Sequence, residues 1–270
     1  MVRLSALAAL LSLTACDINI APPPTSTELS EGLVVLYAGA SSTSIEMQFI
    51  YQGLKDAGLT RAIQPIPWAT PWSNVINAID YERHKQWAVT EAHRLTKYLD
   101  DHPGGAVTLI GYSAGAGAAA LTAAAMPADH PIDRIIFLSA DLSPDFDLRP
   151  SLDRTQRGAI NYFSPLDLGV IDLVTQLGTF DRVFIIPAAV IGFNLDDPRL
   201  LQVRWHVAMG NYGNFGGHFD FLFNPTWVAH YVAPWVTEDL DVVARQIIDE
   251  SGNQPDPPDD DTPLPPNTVP

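Results

Sequence analysis

Short apolar runs rich in branched and aromatic residues alternate with longer stretches of helical period through the middle of this 270-residue chain. Six runs read as strands: LVVLYA (33–38), AIQPIPW (62–68), AVTLIGY (106–112), RIIFLSA (134–140), AINYFS (159–164) and LQVRWHV (201–207). Pro65 and Pro67 remove ladder donors from the second, which predicts an edge or irregular strand. Between the second and third runs, Ala88, Ala92, Leu95 and Leu99 recur at steps of four, three and four, an apolar stripe along one face of a helix. Asp100, Asp101, Pro103 and the pair Gly104 and Gly105 end that helix. The alternation predicts an α/β class: a mostly parallel central sheet flanked by helices, in a single domain from about Leu33 to about Glu250.

The two ends depart from this pattern. MVRLSALAALLSLTAC has a basic start at Arg3, an apolar run and small residues before Cys16, which reads as an export signal over 1–15, too short for a permanent span. LTAC resembles the lipobox of bacterial lipoproteins. That resemblance implies acylation of Cys16 and a lipid-anchored protein of the cell envelope, each buried methylene adding about 0.8 kcal/mol to the anchor. The alternative is an ordinary secretory signal with a chance cysteine. Asp17 resembles the residue that retains some enterobacterial lipoproteins at the inner membrane, a rule bound to lineage, so the choice of membrane stays open. Cys16 is the only cysteine, which excludes an internal disulfide. Residues 16–32, with APPPTST, read as an extended tether, and the Pro/Asp-rich segment 251–270 as a disordered tail.

Charge narrows the partners. Fifteen basic residues, among them only Lys55, Lys85 and Lys97 as lysines, face 31 acidic ones, for a net −16. Such a chain does not bind nucleic acid or an anionic bilayer by charge alone, and the acidity reads as surface solvation, with steering of cationic ligands as the alternative.

The third run leads straight into GYSAGAGAAALTAAAM. The alanines form a strong helix, so Ser113 sits on an abrupt strand-to-helix turn. GYSAG (111–115) fits GxSxG, the turn that exposes a serine hydroxyl at a helix N-terminus, where backbone donors and the dipole suit an oxyanion. GAGAAA (115–120) also fits a dinucleotide fingerprint, with Asp141 as its ribose acid, but those glycines start too far past the strand. A phosphate loop lacks its lysine, and the plain alternative is a small-residue helix packed tightly on a sheet.

With serine after the central strand, an acid after a later one and histidine after the last, the chain resembles the α/β-hydrolase superfamily of the serine esterase and lipase type. The resemblance implies the α/β-hydrolase fold over 33–250, no cofactor, and hydrolysis of carboxylic esters through an acyl-enzyme. It implies Ser113 as nucleophile, His218 as base and Asp167 of PLDLG as acid, with Asp141 at the alternative position that some members use. Asp181, Asp196 and Asp197 read as solvated loop residues. His218 comes after the last strand on the glycine loop GNYGNFGGHFDF, where Gly210, Gly213, Gly216 and Gly217 turn the chain and Phe219 and Phe221 pin the segment after the histidine into the core. The other histidines have plainer readings: His206 packed inside a strand, His84, His93 and His102 on the surface, His130 in a turn and His230 in an apolar helix. None forms a zinc-ligand pattern. The implied oxyanion donors are the N–H groups of Ala114 and, aligning Gly39 with the family's HG pair, Ala40; Ala38 stands where the family often has histidine. The loop before the first helix and the region 168–200, with VFIIPAAVIGF (183–193), are apolar enough to line an acyl pocket or belong to the core, and no long insertion must be a lid, which favours small or medium esters. A non-catalytic binding lipoprotein, or a peptidase or thioesterase on the same fold, would share these residues.

Overall fold

A computed structural model describes residues 21–41, 46–69, 77, 80–238, 244, 247 and 268–269. The signal, Cys16, Asp17 and nearly all of the tail lie outside the described residues. The strands are β1 (Leu33–Tyr37), β2 (Ala62–Pro65), β3 (Val107–Tyr112), β4 (Arg134–Leu138), β5 (Ala159–Phe163) and β6 (Leu200–Arg204). They pair in parallel in the order β2-β1-β3-β4-β5-β6, and the two-residue β7 (Thr268–Val269) adds to the outer edge beside β6.

Each strand feeds a crossover, so both faces are covered, and the inner strands β1, β3, β4 and β5 are buried along their whole length. Side chains alternate between the faces. Val35, Leu109 and Phe137 meet one apolar layer with Ala92 and Leu95 of α3 (Tyr81–Asp101) and Ala116, Ala119 and Ala123 of α4 (Ala114–Ala125). Leu36, Ile110 and Tyr162 meet the other with Ile50 and Leu54 of α2 (Gln48–Asp56) and the aromatic segment holding Trp227, Tyr231 and Trp235.

The strands end earlier than their apolar runs, for local reasons. β2 is an edge strand, as its prolines require, and stops at Pro65; Trp68 has left the ladder and its Nε1 donates to the Ala38 carbonyl (2.7 Å). β4 stops at Leu138 because Ser139 adopts φ 52°. β6 covers 200–204, so His206 lies past its end, buried beside the Tyr231 ring.

Two further expectations are corrected. The tether is not extended throughout: Ser26–Glu31 form a helical turn, α1, because Thr25 and Glu28 make a capping box and Glu28 accepts from Lys55 Nζ (2.8 Å). His84, expected on the surface, is only 3% exposed. It continues the Ala88 stripe of α3 one turn earlier, stacks on Phe180 (4.7 Å between ring centres), and burial lowers its pKa to about 4.

Candidate functional site

The geometry of Ser113 stems from two glycines. Ser113 takes φ 53°, ψ −123°, between the end of β3 and the first turn of α4, and its N–H donates to the Leu138 carbonyl of β4 (3.0 Å). A Cβ on Gly111 would strike the backbone of Gly115, and one on Gly115 would strike the Tyr37 and Ala38 carbonyl oxygens. Only glycine lets the helix start this close to the sheet and to the loop after β1. That contact explains the glycines without a dinucleotide: Gly115 lies against β1, and Gly117 lies against the Phe180 ring.

The glycine loop is more ordered than its composition suggests. Two short 3-10 turns, Val207–Tyr212 and His218–Phe221, are joined through Gly213 and Gly216, both at φ 86°. Fully buried Asn214 accepts from the Gly216 N–H on its side chain and from Trp205 Nε1 on its carbonyl. Tyr112 of β3 reaches across to donate to the His218 carbonyl (3.2 Å). His218 is thereby held over the sheet's carboxyl edge. Of the two phenylalanines expected to anchor the chain after His218, Phe221 is fully buried, but Phe219 is 60% exposed and stacks on Phe223 instead.

Asp167 comes after β5 and caps α5 (Leu168–Leu177), its Oδ1 accepting from Val170 N–H (3.3 Å). Its other oxygen, Oδ2, lies 2.8 Å from His218 Nδ1, and His218 Nε2 lies 3.0 Å from Ser113 Oγ. Ser113, His218 and Asp167 therefore form one hydrogen-bonded chain. The carboxylate partner assigns the proton to Nδ1, leaving Nε2 to accept from the serine hydroxyl.

Asp141 comes off β4 and does not reach His218 by a hydrogen bond. Its N–H donates to the Ser113 carbonyl (3.2 Å), while its carboxyl is buried with Oδ1 unpartnered. Burial pushes its pKa up to about 7, with the charges of Asp181 and Asp167 adding to the rise and His218 and the Phe180 backbone N–H opposing it. Asp181, expected to be solvated, instead accepts from Ser143 N–H (2.9 Å) and the Thr179 hydroxyl (2.7 Å). Asp196 is exposed, and Asp197 pairs with Arg199 (2.7 Å).

The loop after β1 borders the same site. A Cβ on Gly39 would lie 3.5 Å from Ser113 Cβ, and Ala40 is next in the chain, its carbonyl accepting from Asn77 Nδ2 (3.1 Å). Ala114, buried at the start of α4, stands on the other side of the serine. Glu46 was not expected here: Ser41 donates to it, and burial raises its pKa against the pull of that hydroxyl, the Gly39 backbone and His218. Ser139 was not expected either. Its hydroxyl donates to Asp167 Oδ2 and lies 2.9 Å from His218 Nδ1.

Among the remaining histidines, His93 is exposed, His102 stacks on Tyr98, His130 meets Asp100, and His230 is half-buried against Tyr212. The 183–193 stretch divides: Val183 to Ile186 are exposed, while Ala188 to Val190 are core. An apolar groove of about 260 Å³ runs between Ile171 and Val174 of α5 and the segment Phe184–Pro187. Leu166, Leu168 and Phe223 are also exposed, so apolar side chains flank both the Asp167 and His218 loops.

Among solved structures, Aspergillus fumigatus lipase B matches at a TM-score of 0.50 and 17% identity, over 82% of this chain and 58% of that one. The fold is the α/β-hydrolase fold. This chain thus spans a little over half the length of that lipase. A putative cell surface hydrolase from Lactobacillus plantarum matches at 0.45 and 11% identity, over 80% of this chain and 96% of that one. Trichoderma reesei cutinase matches at 0.39 and 14%, over 77% of each chain. No protein-family model and no curated protein matches the chain. Among the described residues no helix is long and apolar enough to cross a membrane.

Proposed function

We propose that this protein is a serine hydrolase that cleaves carboxylic esters through an acyl-enzyme. The observation that carries the reading is the hydrogen-bonded chain from Ser113 through His218 to Asp167, with the serine on a sharp turn at the head of a twelve-residue helix. Ser113 Oγ attacks the ester carbonyl and passes its proton to His218 Nε2, while Asp167 holds Nδ1–H and stabilises the imidazolium. The N–H groups of Ala114 and Ala40 receive the oxyanion. His218 then protonates the departing alcohol, and a water activated by the same histidine releases the acid and restores the serine.

The acyl portion suits an apolar group, since the residues exposed beside the site are Leu166, Leu168, Phe219 and Phe223. The α5 helix that Asp167 caps also walls an apolar groove of about 260 Å³, in keeping with small or medium esters. Lipidation at Cys16 would tether the enzyme to an envelope membrane; the mass of the mature N-terminus checks it.

The test is labelling by a fluorophosphonate probe together with hydrolysis of p-nitrophenyl esters of increasing chain length. Wild type labels and turns over, and Ser113→Ala does neither. Ligand binding without labelling in the intact protein would establish a binding lipoprotein instead, and faster turnover of thioesters or peptides would move the substrate class.

A further inference from the structure

Ser139 has no place in a three-residue relay, yet it touches two members of it. It is fully buried at the end of β4, and its N–H donates to the Tyr162 carbonyl of β5 (2.9 Å), which fixes its backbone between two central strands. Its φ of 52° lies in the left-handed half of backbone space, where a side chain is strained and glycine is at ease. Among the described residues only Ser113, Ser139 and Arg182 combine a side chain with positive φ, and the first two adjoin the site. What serine has here and glycine lacks is the hydroxyl.

That hydroxyl has one hydrogen and two neighbours. It donates to Asp167 Oδ2, the same oxygen that faces His218 Nδ1 at 2.8 Å, and its lone pair faces Nδ1 at 2.9 Å. The Nδ1–H is therefore shared between a carboxylate and a hydroxyl oxygen, and the imidazole plane is set by two acceptors rather than one. The carboxylate in turn shares its charge with the Ser139 O–H.

We infer that Ser139 is a positioning residue of the relay, orienting His218 toward Ser113 and moderating the charge that Asp167 presents to it. The inference rests on the serine hydrolase reading. Without the hydroxyl, the imidazole can swing about its single remaining acceptor, so the base is aligned in fewer encounters. Losing the hydroxyl takes one acceptor from the protonated ring but returns the full Asp167 charge to it, and the charge outweighs the dipole, so the pH at which the base becomes available rises. Asp141, Glu46 and Tyr112 also face His218, and a substitution at Ser139 leaves all three in place.

The experiment compares wild type, Ser139→Ala and Ser139→Gly on one p-nitrophenyl ester, with the pH profile of kcat/KM and the thermal midpoint of each. Both variants should lose about tenfold in kcat at unchanged KM, the loss expected for one hydrogen bond to a charged group. Their acid limb should move to higher pH. Ser139→Gly, which relieves the backbone, should melt no lower than wild type. Turnover of Ser139→Gly within twofold of wild type, or a loss of kcat with an unmoved acid limb, would overturn the inference. If wild type neither labels nor hydrolyses, the serine hydrolase reading itself fails, which is a separate outcome.

Discussion

Asp167 and Asp141 are two buried carboxyls hung from neighbouring strands at the same edge of the sheet, and they differ in their hydrogen-bond partners. Asp167 receives Val170 N–H, the Ser139 hydroxyl and His218 Nδ1. Asp141 receives nothing on Oδ1, and burial raises it to about 7. Burial alone favours the neutral acid, and hydrogen-bond donors oppose that preference. Proximity to Ser113 is therefore a poor guide to which carboxyl meets His218. The count of donors around each oxygen is a better one.

The contrast can be broken most severely by removing each charge in turn. Asp167→Asn should lower kcat by about 10⁴, since the amide favours the wrong imidazole tautomer, as measured by ester hydrolysis at saturating substrate. A near-normal rate in Asp167→Asn, with the loss falling on Asp141→Asn instead, would reverse the two roles.

The next effect is on stability. Asp141 has a folded pKa raised from 3.8 to about 7, so its contribution is fully present below pH 3.8 and is lost as pH rises through about 7. Across that window the wild type should lose on the order of 4 kcal/mol. Asp141→Asn should lack this slope and resist urea better than wild type at pH 8. Equal slopes in both proteins would mean that Asp141 is not held neutral. The smallest expected change is in the turnover of Asp141→Asn at pH 8, within about threefold of wild type, because no hydrogen bond links its carboxyl to His218.

Much of this arrangement was legible in the order of residues. Six strands and their parallel arrangement came from alternation, and the Ser113 turn from a GxSxG motif between an apolar run and an alanine helix. The α1 turn is legible as well, because Thr25 and Glu28 stand at capping-box spacing directly after three prolines. His84 was legible too, one turn before the stripe that named α3.

Ser139, Glu46 and Asp181 were not legible, and the reasons are physical. A serine at the end of an apolar run looks like any strand terminus; only the register of β4 between β3 and β5 brings its hydroxyl under Asp167. Asp181 reads as a charged loop residue until Ser143 and Thr179 close on it across 38 and two positions of sequence.

By itself the sequence determined what depends on neighbours along the chain: period, turn chemistry, and the order in which serine, acid and histidine leave the sheet. Tertiary structure alone decided which acid meets His218 and which keeps an oxygen without a partner, that Phe221 is buried while Phe219 is exposed, and that Ser139 joins the relay. Those outcomes rest on distances of about 3 Å between residues dozens of positions apart, and such distances are set by strand register and helix packing rather than by local preference.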